Sequence, residues 1–413
     1  MLISKTIFKE YSRCPRVCSL DSLYMKKLNT EASIFDDEKA DFIELLSSMF
    51  DVETGEDLVD EVDSQYQALL PYYNQLESYA MRVAKKTFGD NITHNPETKK
   101  QKFFTFLDGY QELDDKVRVF EVKATSSKKF KDLGTSINKV FHSIFESENN
   151  IMKVKTKLDM PLDKFNQNYE KLFNRYHNAG KYVFDLAVER FIIERSIKHN
   201  EKLRNKEFSY YLVLLNPDYV YDGSLDEDNN YLYNKDKYGN ELVTFVDLTA
   251  VTKTYQEKIV QINEELIKYI NKLSLDEVKL DVYCERKSQA KCAFINTCWA
   301  KALEKGSLLE YMGNYLGFKD EMGKTNYPLD LINDGYLQLD SIPPSWLGRN
   351  NNIIQRKCYD EDIEYINKDK IKKGIATLKY PLYYLDFESF PCPLPRYAGE
   401  NPYNQYLHRY IQY

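Results

Sequence analysis

The chain has 413 residues, 57 Lys+Arg against 64 Asp+Glu, 43% hydrophobic residues and seven cysteines. That length allows two or three domains with a sizeable core, and the net charge of −7 excludes a globally basic nucleic-acid binder, leaving only a local groove for such a partner. No run approaches the roughly 20 apolar residues of a membrane span, the start MLISKTIFKEYSRC reads as neither secretory signal nor anchor, and the odd cysteine count in a chain read as cytoplasmic favours thiols or metal ligands over disulfides.

Residues 4–27 predict a helix opened by Ser4 and interrupted near Pro15. Residues 31–63 hold thirteen acids and one base, Lys39, with Phe42, Leu45, Leu46 and Met49 at helical spacing. A solvated amphipathic helix and a lid repelling nucleic acid both fit that pattern. Residues 71–88 predict a second helix with Pro71 in its first turn and Tyr73, Glu77, Ala80 and Ala84 on one face. KFFTFLDGYQEL, a polar turn at 114–116 and VRVFEVKAT then predict a hairpin.

Residues 128–178, rich in lysine and asparagine, read as an insertion. A helix at 180–198, a strand at 208–215, a polar loop or hairpin at 219–240 and a helix at 252–273 follow. Ile259, Ile262, Leu266, Ile270 and Leu273 give that last helix near-heptad spacing. After Trp299 the pattern loses periodicity until PLYYLDFESF (381–390), which reads as a buried strand.

The hairpin carries the chemistry. Asp108 closes an aromatic run and Glu121 sits between Phe120 and Val122, where a carboxylate is costly unless a cation compensates. Glu121 and Lys123, two apart on a strand, share a face, and the facing strand can bring Asp108 to it. Two carboxylates gathering Mg²⁺ or Mn²⁺ beside an ammonium suit phosphodiester hydrolysis. A salt-bridged edge strand would show the same residues.

This D…E-x-K hairpin, followed by a helix and a strand, resembles the core of the PD-(D/E)XK nucleases in their RecB-like branch. The resemblance implies an α/β fold: a mixed sheet flanked by helices, with helical insertions. It implies Asp108 and Glu121 as metal ligands and Lys123 as the catalytic lysine. It places the family's acidic residue of the preceding helix at Glu77, which equally reads as a surface glutamate. The family's glutamine on the following helix falls at Glu189, an acid here.

RecB-like nucleases of the iron–sulfur type place one cysteine before the core and three beyond it. That split implies Cys14, in YSRCPRVC, and Cys284, Cys292 and Cys298 as ligands of a structural [4Fe–4S] cluster stapling the domain. Structural zinc usually takes a tight C-x₂₋₄-C pair, and only Cys14 and Cys18 offer one. Zinc and ordinary buried thiols stay open, Cys18 is an alternate ligand, and Cys358 and Cys392 look incidental.

Asp386 and Glu388 in LDFES resemble the first motif of DEDD-type exonucleases, and the whole chain resembles a bacterial family fusing an iron–sulfur RecB-like nuclease to such a module. Such a site needs four acids, yet only Glu400 follows Glu388, so the tail reads as an exonuclease-like stub. The expected layout is a nuclease domain over 1–300, a connector over 301–380 and the fragment over 381–413. The expected function is metal-dependent hydrolysis of single-stranded or end-bearing DNA, as an exonuclease. A non-catalytic nucleic-acid-binding scaffold is the alternative. Lys99, Lys100, Lys102, Lys128, Lys129 and Lys131 flank the hairpin as a positive groove or as scattered surface lysines.

Overall fold

A computed structural model describes residues 3–25, 62–94, 97–100, 103–198, 200–281, 284, 292, 294–382 and 384–412. Two compact units emerge: Met1–Leu275 with Lys287–Ala290 and Ser389–Leu407, and Asp276–Arg286 with Lys291–Glu388 and His408–Tyr413. Among the described residues no helix is long and apolar enough to cross a membrane.

The first unit opens with β1 (Ile3–Ser4), α1 (Lys5–Tyr11) and, after a break, α2 (Pro15–Leu20). Pro15 takes an initial helical position, where its missing N–H leaves nothing unpaired. The acidic segment read over 31–63 lies outside the described residues except for its last two. Val62 and Asp63 begin α3 (Val62–Phe88). Pro71 therefore lies inside a helix and not in its first turn. The helix formers Gln67, Ala68, Leu69 and Leu70 carry it past the single hydrogen bond that proline removes.

The run read as one strand over 102–113 is two. Beyond β2 (Ile92–His94), β3 (Glu97–Lys100) and β4 (Phe103–Phe106) join β1 in a small separate sheet. The chain then turns at Leu107–Asp108 and enters β5 (Gly109–Glu112). A Cβ on Gly109 would lie 2.5 Å from Met81 Sδ and 3.2 Å from Phe120 Cβ. Only glycine lets α3 lie this close to the strand. β6 (Lys116–Ser126) returns antiparallel, with Gly109 opposite Phe120.

The stretch read as an insertion helps to build the main sheet. It holds α4 (Lys128–Lys131), the hairpin of β7 (Gly134–Ile137) and β8 (Val140–Ser143), then β9 (Phe145–Glu148), β10 (Ile151–Val154) and α5 (Leu162–Glu170). Asn138 and Lys139, both at positive φ, turn the β7–β8 hairpin. After them come α6 (Gly180–Ile197), β11 (Glu207–Leu215), β12 (Val243–Asp247) and α7 (Thr249–Asn271). The main sheet runs β2-β5-β6-β11-β12-β10-β9, parallel at β6/β11 and at β12/β10 and antiparallel at its other pairs. It is a mixed sheet flanked by helices.

Side-chain alternation along β6 sorts the layers. Phe120, Val122 and Ala124 pack with Leu76, Tyr79, Ala80 and Met81 of α3 in one buried cluster. The intervening Glu121 and Lys123 face the opposite layer, which contains α1 and α6. Every residue of α6 from Gly180 to Ile193 is buried, as befits a helix wrapped on all sides.

The segment read as a connector has a core of its own in the second unit, built on Trp299, Leu308, Tyr311, Phe318, Leu331 and Ile342. The strand expected at 381–390 is β13 (Tyr384–Pro391), which pairs with β14 (Gln405–Gln412). The loop between them, 392–404, belongs to the first unit and buries Leu394 in the cluster on the α3 face of the sheet.

Candidate active site

Three elements converge on one buried carboxylate. Glu121, 2% exposed, projects from β6, and Lys123 on the same face reaches its Oε1 at 2.8 Å. Lys5, from the first residue of α1, reaches the same oxygen at 2.9 Å and Glu189 Oε1 of α6 at 2.6 Å. One turn along, Lys9 meets Asp185 at 2.9 Å. Lys5/Lys9 on α1 and Asp185/Glu189 on α6 are each i,i+4 pairs, so two helix faces meet in a ladder of opposite charges. Phe8 and Phe191, 5.9 Å apart between ring centroids, add an apolar contact to the same docking. Arg175 caps the far end of α1, donating to Lys9 O at 2.8 Å and Ser12 Oγ at 3.0 Å, with its guanidinium 4.2 Å over the Phe184 ring.

Asp108 completes the group from the turn before β5. The β5/β6 pairing ends at Gly109 opposite Phe120, so Asp108 and Glu121 lie just beyond its end. Asp108 Oδ2 accepts the Val122 N–H at 2.6 Å, which fixes its carboxyl at the strand between the two key residues. Burial pushes the Asp108 carboxyl well above the usual range, reinforced by Glu121 and then by Glu77 on α3. Glu77, half-buried, is thus close enough to act on Asp108 electrostatically.

The remaining acids split in the same way. Burial raises Glu121, but Lys123 and Lys5 overcome it and hold this carboxylate well below the usual range. Glu189 goes the other way: burial and the neighbouring Glu121 charge push it well above. Its Oε2 is buried with no hydrogen-bond partner among the described residues. The group therefore holds one firmly ionised acid between two that favour their protonated form.

Among the described residues no three His, Cys, Asp or Glu side chains gather closely enough to form a metal site by themselves. Mg²⁺ does not require three, because it is commonly held by one or two carboxylates with water and phosphate oxygens completing the shell. Asp108 and Glu121 are the two neighbouring carboxyls that β6 and the turn before β5 bring to this group.

The chain matches no family model, no curated protein and no solved structure.

Sequence reasoning missed Lys5 and Asp185. The available signal was the repeat of lysines four apart in SKTIFKEY against acids four apart in FDLAVER. Of the flanking lysines, Lys131 is paired with Asp218 at 2.5 Å, Lys129 lies 5.5 Å over the Tyr182 ring and Lys128 is exposed. Lys102 and the side chains of Lys99 and Lys100 lie outside the described residues.

The cysteines divide between the units. Cys14 is buried at the N-cap of α2. Burial and the Asp21 carboxylate push the Cys18 thiol up to about 12. In the second unit Cys284 and Cys298 pack on one hydrophobic cluster, and Cys284 Sγ accepts the Asp281 N–H at 3.5 Å. Cys292 is half-buried just before the helical turn Ile295–Cys298. Cys392 is buried, its thiol raised to about 11, chiefly by burial.

Asp386 and Glu388 lie on β13, where side chains fall outside the described residues. Glu400 is 2% exposed and accepts the backbone N–H groups of Arg396 and Tyr397, so it serves a local turn.

Proposed function

We propose that this chain is a cytoplasmic metal-dependent deoxyribonuclease of the PD-(D/E)XK, RecB-like type, hydrolysing phosphodiester bonds in single-stranded or end-bearing DNA as an exonuclease. The observation that carries the reading is that Asp108, in the turn before β5, accepts the Val122 N–H between Glu121 and Lys123 of β6, which are themselves paired. Asp108 and Glu121 would hold Mg²⁺ or Mn²⁺. Such an ion supplies acidification of water and charge neutralisation on the phosphoryl oxygens.

The protein's own groups account for the rest. Lys123 and Lys5 both grip Glu121 Oε1 and hold this carboxylate in place. Lys123, at the edge of the group, orients the attacking water and offsets the negative charge that builds on the phosphate. Asp108 and Glu189, whose carboxyls burial pushes upward, would give up protons more readily beside a cation. Cys14, Cys284, Cys292 and Cys298 are assigned as the thiolates of a structural [4Fe–4S] cluster, four sulfur donors being its complete ligand set.

A nucleic-acid-binding scaffold is the second reading. It is favoured by the Lys5 pairings, which already compensate Glu121 and Glu189 without a cation. Degradation of end-labelled DNA in Mn²⁺ by the parent chain and by Lys123→Ala separates the two: a nuclease loses activity in the variant, and a scaffold shows none in either.

A further inference from the structure

We infer that residues 392–404 form a latch whose Tyr403 hydroxyl positions Lys123 through the backbone of β6. The catalytic half of this inference rests on the nuclease reading above; the latch itself rests on geometry.

β6 is irregular immediately beyond Lys123. Lys123 pairs with Leu214 of β11, but the next residue of β11, Leu215, stands opposite Ser126. Ala124 and Thr125 are the extra residues of a bulge, and on the other edge the pairing with β5 ends at Phe120. Ala124 is fully buried, and a buried carbonyl outside the ladder needs another donor. The Tyr403 hydroxyl provides it, donating to Ala124 O.

Tyr403 does so from an unusual backbone position. Its φ of 62° lies in the left-handed region, which bulky side chains rarely adopt and which persists only where surrounding contacts impose it. Those contacts are present. The Tyr403 N–H donates to Cys392 O at 3.0 Å, closing the loop on itself. The Tyr221 N–H donates to Glu400 O, and the Gly399 N–H to Tyr221 O, each at 2.8 Å. Asn401 Nδ2 reaches Tyr219 O at 2.8 Å and Pro217 O at 3.2 Å, and the Tyr233 hydroxyl donates to Pro395 O at 2.9 Å.

The loop is thus anchored along its length and delivers one hydroxyl to the strand bearing Glu121 and Lys123. Bulges serve to re-aim side chains beside functional sites, and a misplacement of about 1 Å at a catalytic group can cost on the order of 10²-fold in rate. Tyr403 is a positioning residue, acting on Lys123 through the Ala124 carbonyl.

Two hydroxyl deletions test the latch. Tyr403→Phe removes the hydrogen bond to β6, while Tyr233→Phe removes one that holds the same loop elsewhere. In Tyr403→Phe we expect amide exchange at Ala124–Ser126 to quicken by about tenfold, and kcat on labelled DNA with Mn²⁺ to fall by about tenfold at unchanged KM. Tyr233→Phe should change neither, and Tyr403→Phe should add nothing in a Lys123→Ala background. Equal exchange at 124–126 in parent and Tyr403→Phe would overturn the latch. Faster exchange with unchanged kcat would overturn the positioning role. Exchange is readable whether or not the parent cuts DNA, so faster exchange in a parent without activity would sustain the latch and remove the nuclease reading instead.

Discussion

Lys5 and Lys123 meet at one atom: their ammonium groups lie 2.9 and 2.8 Å from Glu121 Oε1. One comes from the first turn of α1 and the other from β6, so α1 is part of the candidate site. The same Lys5 ammonium also serves Glu189 at 2.6 Å.

Removing Lys5 leaves two buried carboxyls with one fewer cation. Breaking a buried pair on one side costs about 3–5 kcal/mol, so we expect Lys5→Met to lose stability of that order in urea denaturation. Glu189→Gln supplies a neutral group of the same shape, and the double variant Lys5→Met/Glu189→Gln should recover about half of the loss. A loss in the double variant equal to the sum of the two single losses would show that the pair is uncoupled.

The raised carboxyls set a pH dependence. Asp108 and Glu189 have folded pKa values above their ordinary 3.8 and 4.5, so the stability they contribute is complete below those values and lost as pH rises through the folded ones. Glu121, held low, opposes this only in acid, because its contribution is already complete above its ordinary 4.5. In the presence of a chelator, Tm should fall as pH rises from about 5 to 8. Added Mn²⁺ needs ionised ligands, so its stabilisation should grow over the same range. A Mn²⁺-induced shift in Tm that does not vary with pH would contradict this.

Gly109 separates packing from chemistry. Its added Cβ would press on Met81, which can bend, and on Phe120 Cβ, which cannot. Gly109→Ala should destabilise by about 1–2 kcal/mol through overpacking between α3 and β6. Because Asp108 precedes it directly, activity should fall further than the loss of folded protein explains. Stability and specific activity measured on one preparation decide the matter.

The cluster assignment is read from colour and metal content. Freshly purified protein handled without oxygen should be brown with about four irons per chain. Cys14→Ser should lose iron, and Cys392→Ser should keep it. Colourless protein containing zinc would overturn the assignment.

Much of the first unit was legible because period-2 and 3.6-residue patterns are strong where one face is buried. β6, β11, α6 and α7 follow from such runs to within a few residues. β12 escaped notice because VTFVD is only five residues long and follows a polar stretch. β9, the edge strand, and β10 beside it were hidden because charges such as Glu146, Glu148 and Lys153 are tolerated at the rim of a sheet and look like loop composition. The break between β4 and β5 spans only Leu107 and Asp108, so the apolar run continues almost to the Asp108-Gly109 turn that marks it. Glu121 and Lys123 were visible as charges within an apolar strand. Lys5 was not, because its partners are 116 and 184 residues away and a lysine on a short helix looks like solvent-facing decoration.

The central claim is that Asp108, Glu121 and Lys123 act together on a phosphodiester bond. Its most direct test is the rate of end-labelled DNA degradation with Mn²⁺, under reducing conditions without oxygen, by the parent chain and by Lys123→Ala. The parent should degrade the DNA, and the variant should be slower by about 10²–10⁴-fold per folded molecule. Equal rates in the two proteins, or no degradation by a folded, iron-loaded parent, would contradict it.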